Sequence, residues 1–389
     1  MLPGLYIGLI SGTSMDAVEA VLAEVSARDG FRLLGAHRTP LPAALQQRLR
    51  ALAVPAAAGA AQAAGTTGPM DAIDALGELD VELGELFAAA ALNLLAHLGL
   101  PPEAVRAIGS HGQTLRHRPR AARPFTLQVG DPNIIAARTG TAVVADFRRR
   151  DMALGGEGAP LVPAFHRALF AHPSERRAVL NLGGVANLTL LSPGEPVTGF
   201  DTGPANGLMD AWARRHLGQP FDENGAWAAT GTVSAPLLAA LLAHPFLALP
   251  APKSTGPEDF TPDWLDTLVE QAGRPAPADV QATLCEFTAA SVAAALGEAP
   301  PHRLVACGGG VHNGHLMARL AARLPGTLLT DSTAHGIDPD QVEAAAFAWL
   351  AARSLAGLPG NLPSVTGAAR PAVLGAIWPG EPDATAGRA

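Results

Sequence analysis

Short apolar runs along the chain predict β-strands that end at glycine-rich or hydroxyl-rich turns. Residues 5–10 form the first run, residues 17–24 alternate between two faces as a second strand, and a third is predicted over residues 31–37. We expect these three to form consecutive hairpins. Further strands are predicted at residues 105–108, 125–129, 141–145, 179–182, 187–191, 197–200 and 304–307.

Apolar residues at helical spacing predict helices between these strands. A long amphipathic helix is predicted from residue 71 to Gly99, and Asp338-Pro339 is typical of the start of a helix that runs to about residue 355. Other helices are predicted at residues 131–138, 205–216, 223–229, 234–243, 262–271, 279–296 and 314–324. This pattern favours an α/β fold, and the 389 residues suggest two domains. Residues 54–69, rich in Ala, Gly and Thr, are predicted to be a surface excursion.

Three turns between a strand and a glycine cluster are candidate ligand contacts. They lie at residues 8–13, at Gly183-Gly184 and at residues 308–310. Glycine lets a ligand approach the main chain and leaves N–H groups able to face an anion. The first turn, SGTSMD, is not a P-loop, because no lysine and no helix follow it. It is either a hairpin turn that wraps a phosphate, with Asp16 near a metal ion, or an ordinary surface turn.

A carboxylate at the end of a central strand is the candidate general base. Asp201 follows the strand at residues 197–200 and stands in a turn beside the Gly183-Gly184 loop, where it is expected to face a ligand. Asp146 and Asp151 are the alternative bases. They belong to DFRRRD, a segment of mixed charge that is either a solvated loop or a clamp for a polar or anionic substrate.

Polar side chains also follow the predicted strand at residues 105–108. His111 and Gln113 stand beside Gly112 in SHGQT. A substrate contact and a structural role are equally compatible with a lone histidine in this position.

Composition narrows the function classes. The formal net charge is −8, and the only basic run is residues 148–150, so we expect no nucleic-acid partner. The longest apolar stretch, residues 86–100, is too short to cross a bilayer, so no membrane partner is expected. The N-terminus lacks a signal-peptide pattern, and two cysteines, Cys285 and Cys307, are too few for a disulfide framework. These features predict a cytoplasmic protein.

One basic residue differs from all the others. Of the 27 basic residues, 26 are arginine, and the single lysine is Lys253, in PKSTG. Either this site needs a compact ammonium where a planar guanidinium would not serve, or the lysine has survived by chance.

The ordered set of motifs resembles the anhydro-N-acetylmuramic acid kinases of the actin, hexokinase and Hsp70 superfamily. The motifs extend from end to end of the chain: SGTSMD, SHGQT, DFRRRD, GGEGAPLVPAFH, NLGGVANLT, FDTGP, KSTG, CGGGVHN and GNLPSVTGA. The resemblance implies two ribonuclease-H-like domains with a nucleotide cleft between them. We expect the first domain to comprise residues 1–140 with about 357–389, and the second residues 141–356.

The resemblance also implies a cell-wall recycling enzyme that uses ATP and Mg²⁺. Such an enzyme opens the 1,6-anhydro bridge of anhydro-N-acetylmuramic acid with water and phosphorylates O6, with Asp201 as the base. The expected ATP contacts are Gly12, Thr13, Ser14, Met15, Asp16, Ala17, Val18, Glu19, Gly183, Gly184, Asn187, Gly308, Gly309, Gly310 and Asn313. The expected sugar contacts are His111, Gln113, Asp146, Arg148, Asp151 and Lys253.

The chain departs from the family pattern at four positions. Ala17 stands where glycine is usual, Glu19 where aspartate is usual, Arg116 where tryptophan is frequent, and Pro257 where an arginine commonly follows KSTG. Two rival functions are another sugar or carboxylate kinase of the superfamily and a non-enzymatic ATP-switched protein. The oligomeric state, monomer or homodimer, is left open.

Overall fold

The computed structural model describes residues 1–12, 14–26, 30–53, 72–256, 258–297 and 299–380. The chain divides into two compact units. Unit 1 comprises Met1–Phe165 and Glu343–Ala389, and unit 2 comprises His166–Val342. The interruption of one unit by the other follows the predicted order, but the divisions fall at residues 165/166 and 342/343, not at 140/141 and 356/357. The reason is that residues 143–145 pair within the first sheet, and the helix after residue 342 packs on it.

Unit 1 is built on a mixed sheet. Its strands are β1 (Gly4–Ser11), β2 (Ala17–Val25), β3 (Phe31–Pro40), β4 (Val105–Arg118), β5 (Phe125–Val129), β6 (Val143–Ala145) and, near the C-terminus, β12 (Ala376–Trp378). The order across the sheet is β12-β6-β4-β1-β2-β3, with β5 paired to β4. Strands β1 to β3 are antiparallel, whereas β4 is parallel to β1 and β6 is parallel to β4.

Unit 2 repeats this arrangement. Its strands are β7 (Arg177–Leu182), β8 (Val185–Leu191), β9 (Thr198–Pro204), β10 (Arg303–Cys307) and β11 (Leu328–Asp331), in the order β11-β10-β7-β8-β9. Strands β7 to β9 are antiparallel, and β10 is parallel to both β7 and β11. Three antiparallel strands followed by two parallel ones is the ribonuclease-H-like order, and it confirms the predicted fold class in each unit.

The helices connect the parallel strands or cover the sheets. In unit 1 they are α1 (Ala43–Ala53), α2 (Ala72–Leu98), α3 (Pro132–Thr139), α4 (Arg149–Ala153) and α12 (Pro363–Thr366). In unit 2 they are α6 (Asn206–Leu217), α7 (Ala235–Leu242), α8 (Pro262–Gln271), α9 (Pro277–Leu296) and α10 (Gly314–Arg323). Helices α5 (Val162–Phe170) and α11 (Val342–Leu355) contain the two division points. The segment predicted as a helix at 223–229 is instead two 3₁₀ turns, Glu223–Gly225 and Ala228–Thr230.

Helix α2 is longer than the apolar stretch singled out in the sequence. By length and hydropathy its 27 residues could cross a membrane. Here its apolar face is part of the unit 1 core, where Leu83, Phe87 and Leu94 have no exposed surface. The low-complexity stretch at residues 54–69 lies outside the described residues.

Two paired glycines let α11 approach the first sheet. Gly8 on β1 is the register partner of Gly109 on β4. A Cβ on Gly8 would lie 1.9 Å from the carbonyl oxygen of Ala344, and one on Gly109 would lie 2.1 Å from that of Phe347. Only a residue without a Cβ fits at either position, so these glycines set how closely the helix packs.

Candidate active site

The hairpin turn after β1 is closed by a hydrogen bond between its own main-chain groups. Its peptide N–H at Met15 donates to the carbonyl of Gly12 (3.2 Å), and Met15 has φ 53°, which is unusual for a residue with a side chain. A Cβ on Gly12 would meet nothing within 4 Å, so the turn has open space there. Thr13, another expected ATP contact, lies outside the described residues.

Gln113 anchors this turn. The Ser11 hydroxyl donates to its Oε1 (2.6 Å), and its Nε2 donates to the carbonyl of Thr114 (3.1 Å). The side chain is 1 % exposed. In this structure Gln113 therefore positions Ser11, and its predicted sugar contact stays a prediction.

Arg38 joins the two acidic residues of the hairpin. Its Nη2 donates to Asp16 Oδ2 (2.6 Å), its Nε donates to Glu19 Oε1 (2.9 Å), and the Ser14 hydroxyl donates to Asp16 Oδ1 (2.5 Å). Glu19 and Arg38 are cross-strand register partners on β2 and β3. The longer side chain at position 19 therefore has a structural reason in this chain, since it reaches Arg38.

The other expected nucleotide contacts in this hairpin belong to β2. Ala17 and Val18 are buried, and Val18 is part of the unit 1 core. The Ala17 side chain is accommodated by the sheet, so the departure from glycine leaves the hairpin intact. Contact with a nucleotide at these two positions stays a prediction.

In unit 1, the buried His111 is hydrogen-bonded to the half-buried Arg148. Arg148 Nε and Nη2 donate to His111 Nε2 (3.0 and 2.9 Å), and Arg148 Nη1 donates to the carbonyl of Gly158 (2.9 Å). Because Nε2 accepts, Nδ1 carries the proton and donates to the carbonyl of Gly112 (2.9 Å). Burial and the Arg148 charge lower the pKa of His111 to about 3, so the imidazole is neutral at physiological pH. His111 thus orients a cation.

Asp146 has the features of a functional carboxylate. It follows β6 with φ 57°, a conformation that aspartate seldom adopts, and lies 3.6 Å from Arg149. Burial raises its pKa, and the Arg149 charge opposes this. A half-buried carboxylate held in a strained backbone supports its predicted contact with the substrate.

Asp151 is structural. It has no exposed surface, and its carboxylate accepts hydrogen bonds from the Gly158 N–H (2.8 Å), Asn361 Nδ2 (2.6 Å) and the Thr366 hydroxyl (2.7 Å). These three donors occupy the carboxylate in this structure, and the predicted sugar contact or base role of Asp151 stays a prediction. Its role is to join three of the motifs, DFRRRD, GGEGAP and GNLPSVTGA, into one structure.

Asp201 lies within β9, not after it, because the strand continues to Pro204 through Gly203. Its Oδ2 accepts hydrogen bonds from the Thr255 N–H (2.9 Å) and the Ser254 hydroxyl (3.1 Å). In the part of the chain that the structure describes, Oδ1 has no hydrogen-bond partner. Burial raises the pKa of Asp201, and the two hydrogen bonds oppose this. The carboxylate is therefore oriented by one oxygen and can use the other.

The KSTG segment is the partner of Asp201. The Asp201 N–H donates to the carbonyl of Lys253 (3.0 Å). The Lys253 ammonium does not point to an open ligand site: it donates to the carbonyls of Phe246 (3.2 Å) and Leu247 (2.9 Å) and lies 4.7 Å from the centre of the Phe246 ring. The ammonium is thus committed to protein groups, which argues against the predicted sugar contact. Pro257 lies outside the described residues.

The Gly183-Gly184 turn is bound to the start of α6. The N–H groups of Asn206 and Gly207 donate to the carbonyls of Gly183 (3.0 Å) and Gly184 (3.1 Å). A Cβ on Gly184 would meet nothing within 4 Å. The turn is therefore fixed from behind by the helix, and its outer side has room for a ligand.

The glycine triplet packs against the same turn. A Cβ on Gly308 would lie 2.4 Å from Asn181 Oδ1, and one on Gly310 would lie 2.6 Å from the Leu182 Cβ. Gly309, in contrast, has no neighbour closer than 3.9 Å. Two of the three glycines are explained by packing within unit 2, and Gly309 is the one with room for a ligand.

Asn313 caps a helix. Its side-chain Oδ1 accepts a hydrogen bond from the Leu316 N–H (2.9 Å) at the start of α10. The predicted ATP contact of Asn313 would therefore use its side-chain Nδ2, which is not part of this cap. Asn187 is the register partner of both Asn181 and Asp201, so these three polar residues form a row across three strands of a mainly apolar sheet.

Sequence reasoning missed several residues of these sites. They are Arg38, Asn181, Asn206, Ser254, Thr255 and Asn361. Asn181, Ser254, Thr255 and Asn361 stand inside quoted motifs, so the motif was a usable signal. Arg38 and Asn206 act through contacts that only the pairing of strands and turns creates.

The departure at position 116 also has a structural explanation. Arg116 Nη2 donates to the carbonyl of Leu52 (2.7 Å), in the last turn of α1. A cation at the C-terminal end of a helix is favourable. Arg116 therefore fastens α1 to β4.

Two ribonuclease-H-like units, each with a glycine turn after its first strand, define the actin-like ATPase fold. The family model "Anhydro-N-acetylmuramic acid kinase" matches residues 4–380. The chain belongs to this family. An anhydro-N-acetylmuramic acid kinase of Xanthomonas axonopodis pv. citri (strain 306) is 54% identical over 377 residues, which cover 96% of this chain and 98% of the relative. This membership disfavours both rival functions.

Solved structures with similar chain courses are more distant. Component A of (R)-2-hydroxyglutaryl-CoA dehydratase from Acidaminococcus fermentans is 10% identical, with a TM-score of 0.45 and coverage of 89% of this chain and 96% of that one. A ROK family glucokinase from Streptomyces griseus, with glucose and AMPPNP, is 14% identical, with a TM-score of 0.38 and coverage of 89% and 99%. At these scores the assignment of the fold rests on the strand order described above.

Proposed function

We propose that the protein hydrolyses the 1,6-anhydro bridge of anhydro-N-acetylmuramic acid and phosphorylates O6 with ATP, giving N-acetylmuramic acid 6-phosphate for cell-wall recycling. The observation that carries the proposal is the Asp201 carboxylate. It is buried enough to have a raised pKa, oriented through Oδ2 by Ser254 and Thr255, and has Oδ1 available to accept a proton. This is the arrangement that a general base requires.

In the proposed reaction, Asp201 takes a proton from water as the water oxygen bonds to C1 of the sugar. The bond between C1 and O6 breaks, and O6 becomes the nucleophile for the γ-phosphorus of ATP, with ADP as leaving group. The electrons that leave C1 are thus taken up by the phosphoryl group. Opening and phosphorylation can therefore share one passage through the site.

The residues present fit a nucleotide with Mg²⁺. In unit 1 the space at Gly12, and in unit 2 the space at Gly184 and Gly309, leaves main chain that a phosphate could approach, so each unit by itself has a turn that would suit a phosphate group of the nucleotide. Among the described residues no group of three or more His, Cys, Asp or Glu could hold a metal ion. Mg²⁺ commonly uses one or two carboxylates together with substrate phosphates, and Asp16 would supply one by exchanging its Arg38 contact. Bound Mg²⁺-ATP would provide the phosphoryl group and neutralise its charge.

Labelled water distinguishes this reaction from ordinary sugar phosphorylation. Turnover in H₂¹⁸O is expected to place one label on the C1 hydroxyl and none in the bridge between O6 and phosphorus, because solvent oxygen bonds only to C1. The first-formed anomer should be inverted, since water attacks from the face opposite the bridge. Mass spectrometry and NMR within seconds of mixing measure both. Label in the phosphate bridge, or unlabelled C1, would show that the protein is a kinase of an existing hydroxyl.

We further propose that Arg148 binds the lactyl carboxylate of the sugar. Arg148 is a half-buried cation whose hydrogen bonds go to a neutral histidine and a carbonyl, and these two partners carry no negative charge. Burial lowers the pKa of Arg148 to about 10, and Glu343 opposes this shift. A carboxylate ligand would complete the site with charge-assisted hydrogen bonds.

The Arg148→Lys variant tests this assignment. It keeps the charge but loses the guanidinium fork, so kcat/KM for anhydro-N-acetylmuramic acid should fall by about 10- to 100-fold while KM for ATP stays within about twofold. The loss should be much smaller for 1,6-anhydro-N-acetylglucosamine, which lacks the lactyl group. Arg150→Lys, in the same basic run but exposed, is the matched control. Equal losses on both sugars would mean that Arg148 is only structural.

The setting of the reaction is part of the proposal. We place the enzyme in the cytoplasm, where ATP is available, and both of its cysteines are buried thiols. Its partner is the small sugar substrate. The choice between monomer and homodimer has no observation in its favour.

A further inference from the structure

We propose that Lys253 is a positioning residue for the Asp201 carboxylate: its ammonium fastens the partly exposed KSTG segment to the turn Pro245–Ala248, whose Phe246 side chain is buried, and the same segment orients Asp201. The inference deepens the proposed function and rests on the role of Asp201 as the base. Lys253 would contact neither the sugar nor ATP.

The Lys253 ammonium is bound to the turn Pro245–Ala248. Lys253 Nζ donates to two successive carbonyls, those of Phe246 and Leu247, in the 3₁₀ turn Pro245–Ala248. The Phe246 side chain is 6 % exposed and belongs to the core of unit 2, and its ring lies under the ammonium. Carbonyl dipoles and an aromatic face both attract a cation. The ammonium is therefore held against a turn whose Phe246 side chain is fixed in the core of unit 2.

The same KSTG segment also contacts Asp201. Three successive residues contact Asp201: Lys253 through its carbonyl, Ser254 through its hydroxyl and Thr255 through its N–H. The Ser254 side chain is exposed, and the segment lies at the surface. A surface loop is mobile unless it is tied down, so the direction of the two donors depends on the fastening at Lys253.

The geometry also explains why this one basic residue is a lysine. A compact ammonium has three rotatable donors and can reach two successive carbonyls while it lies 4.7 Å from a ring centre. A guanidinium has its donors in a fixed plane and is larger. We infer no such requirement for a compact ammonium at the other basic positions, which are all arginine.

The charged side chains of this loop are few. Besides Lys253 they are Glu258 and Asp259, and Asp259 accepts a hydrogen bond from the Thr255 hydroxyl (2.6 Å). Both acids are exposed. The Asp201 pKa is set by burial and by the hydrogen bonds from Thr255 and Ser254, and the Lys253 charge is not among its causes, so a change in the titration of Asp201 on removing Lys253 would report on those two hydrogen bonds.

The first experiment compares Lys253→Met with Arg274→Met in steady-state kinetics. Methionine keeps much of the lysine shape but cannot donate. We expect kcat to fall by about 10- to 100-fold, because a loosened base is misplaced, with KM for ATP and for the sugar within about twofold of wild type. The acidic limb of the kcat profile should move to higher pH, since the hydrogen bonds that lower the Asp201 pKa weaken. Arg274, exposed in unit 2 and paired with Glu270, should show neither change.

Chemical rescue separates positioning from folding. A Lys253→Cys variant, purified and then treated with 2-bromoethylamine, regains an ammonium at nearly the lysine length, and kcat should rise towards the wild-type value. Methyl methanethiosulfonate, which adds a neutral group, should not restore it. The native Cys285 and Cys307 are buried, and wild-type enzyme treated in parallel controls for their modification. Both products come from one folded preparation, so instability cannot explain a difference between them.

Each outcome decides the question. An unchanged kcat and acidic limb in Lys253→Met, or equal recovery with both reagents, overturns the inference. A raised sugar KM with kcat unchanged would restore the sugar contact predicted from the sequence and also overturn it. The role of Asp201 as the base is tested independently by Asp201→Asn. If that variant loses turnover while Lys253→Met does not, the proposed function stands and only the positioning role of Lys253 is overturned.

Discussion

The Asp201→Asn variant is expected to lose about 10³-fold in kcat, whereas KM for ATP should stay within about twofold of wild type. An amide cannot accept the proton of the attacking water. Its oxygen can still accept the hydrogen bonds from Ser254 and Thr255 that now reach Oδ2, so the loop should keep its place. Steady-state kinetics with anhydro-N-acetylmuramic acid and ATP measure the effect.

The matched control is Asp146→Asn. Asp146 is the remaining alternative base, because Asp151 is fully buried and bound by three donors. A contact with the sugar through Asp146 would mainly raise the sugar KM. If Asp201→Asn keeps more than about a tenth of the wild-type kcat while Asp146→Asn loses turnover, the base is Asp146.

The pH dependence of kcat follows from the same carboxylate. A general base must be ionised, so activity falls as the pH drops through its pKa. Burial raises the Asp201 pKa from its ordinary value of 3.8, which moves this acidic limb towards neutral pH. His111 should add no limb near neutral pH, because its pKa is lowered to about 3.

The sequence predicted the elements of the fold better than their ends. Apolar runs marked most strands of both sheets, and the length of the chain suggested two domains. The ends were less accurate where a polar motif lies inside a strand. SHGQT was expected after a strand, but β4 continues to Arg118 because it pairs with β5, and β9 likewise continues past Asp201. Pairing with a neighbour extends a strand through polar residues, and no local pattern shows this.

The residue types indicated which side chains can form hydrogen bonds or carry charge, but not which groups they contact. The lone lysine was singled out correctly, yet its predicted partner was a ligand, whereas the structure gives it the carbonyls of Phe246 and Leu247. Main-chain carbonyls have no signature in a sequence. The partners of Asp151 were missed for a different reason, since the Asn361 and Thr366 side chains come from a segment more than 200 residues away.

The Gly8→Ala variant is expected to lose about 3 kcal/mol or more of unfolding free energy, a large part of the 5–15 kcal/mol typical of folded proteins. The new Cβ would lie 1.9 Å from the Ala344 carbonyl oxygen and 2.7 Å from the Ala348 nitrogen. Both are backbone atoms of α11, so no side chain can turn aside, and the helix must move off β1. Urea denaturation followed by circular dichroism and by fluorescence measures the loss.

Gly77→Ala is the matched control, because it adds the same methyl group to the same unit. Gly77 lies inside α2 and has nothing within 4 Å of the position of a Cβ. Alanine is the better helix former by about 1 kcal/mol, so this variant should be slightly more stable than wild type. A loss of unfolding free energy in Gly8→Ala and a gain in Gly77→Ala would confirm that α11 packs closely on β1 because Gly8 has no side chain. A Gly8→Ala variant as stable as wild type would contradict that packing, and with it the division that places α11 from Glu343 onwards in unit 1.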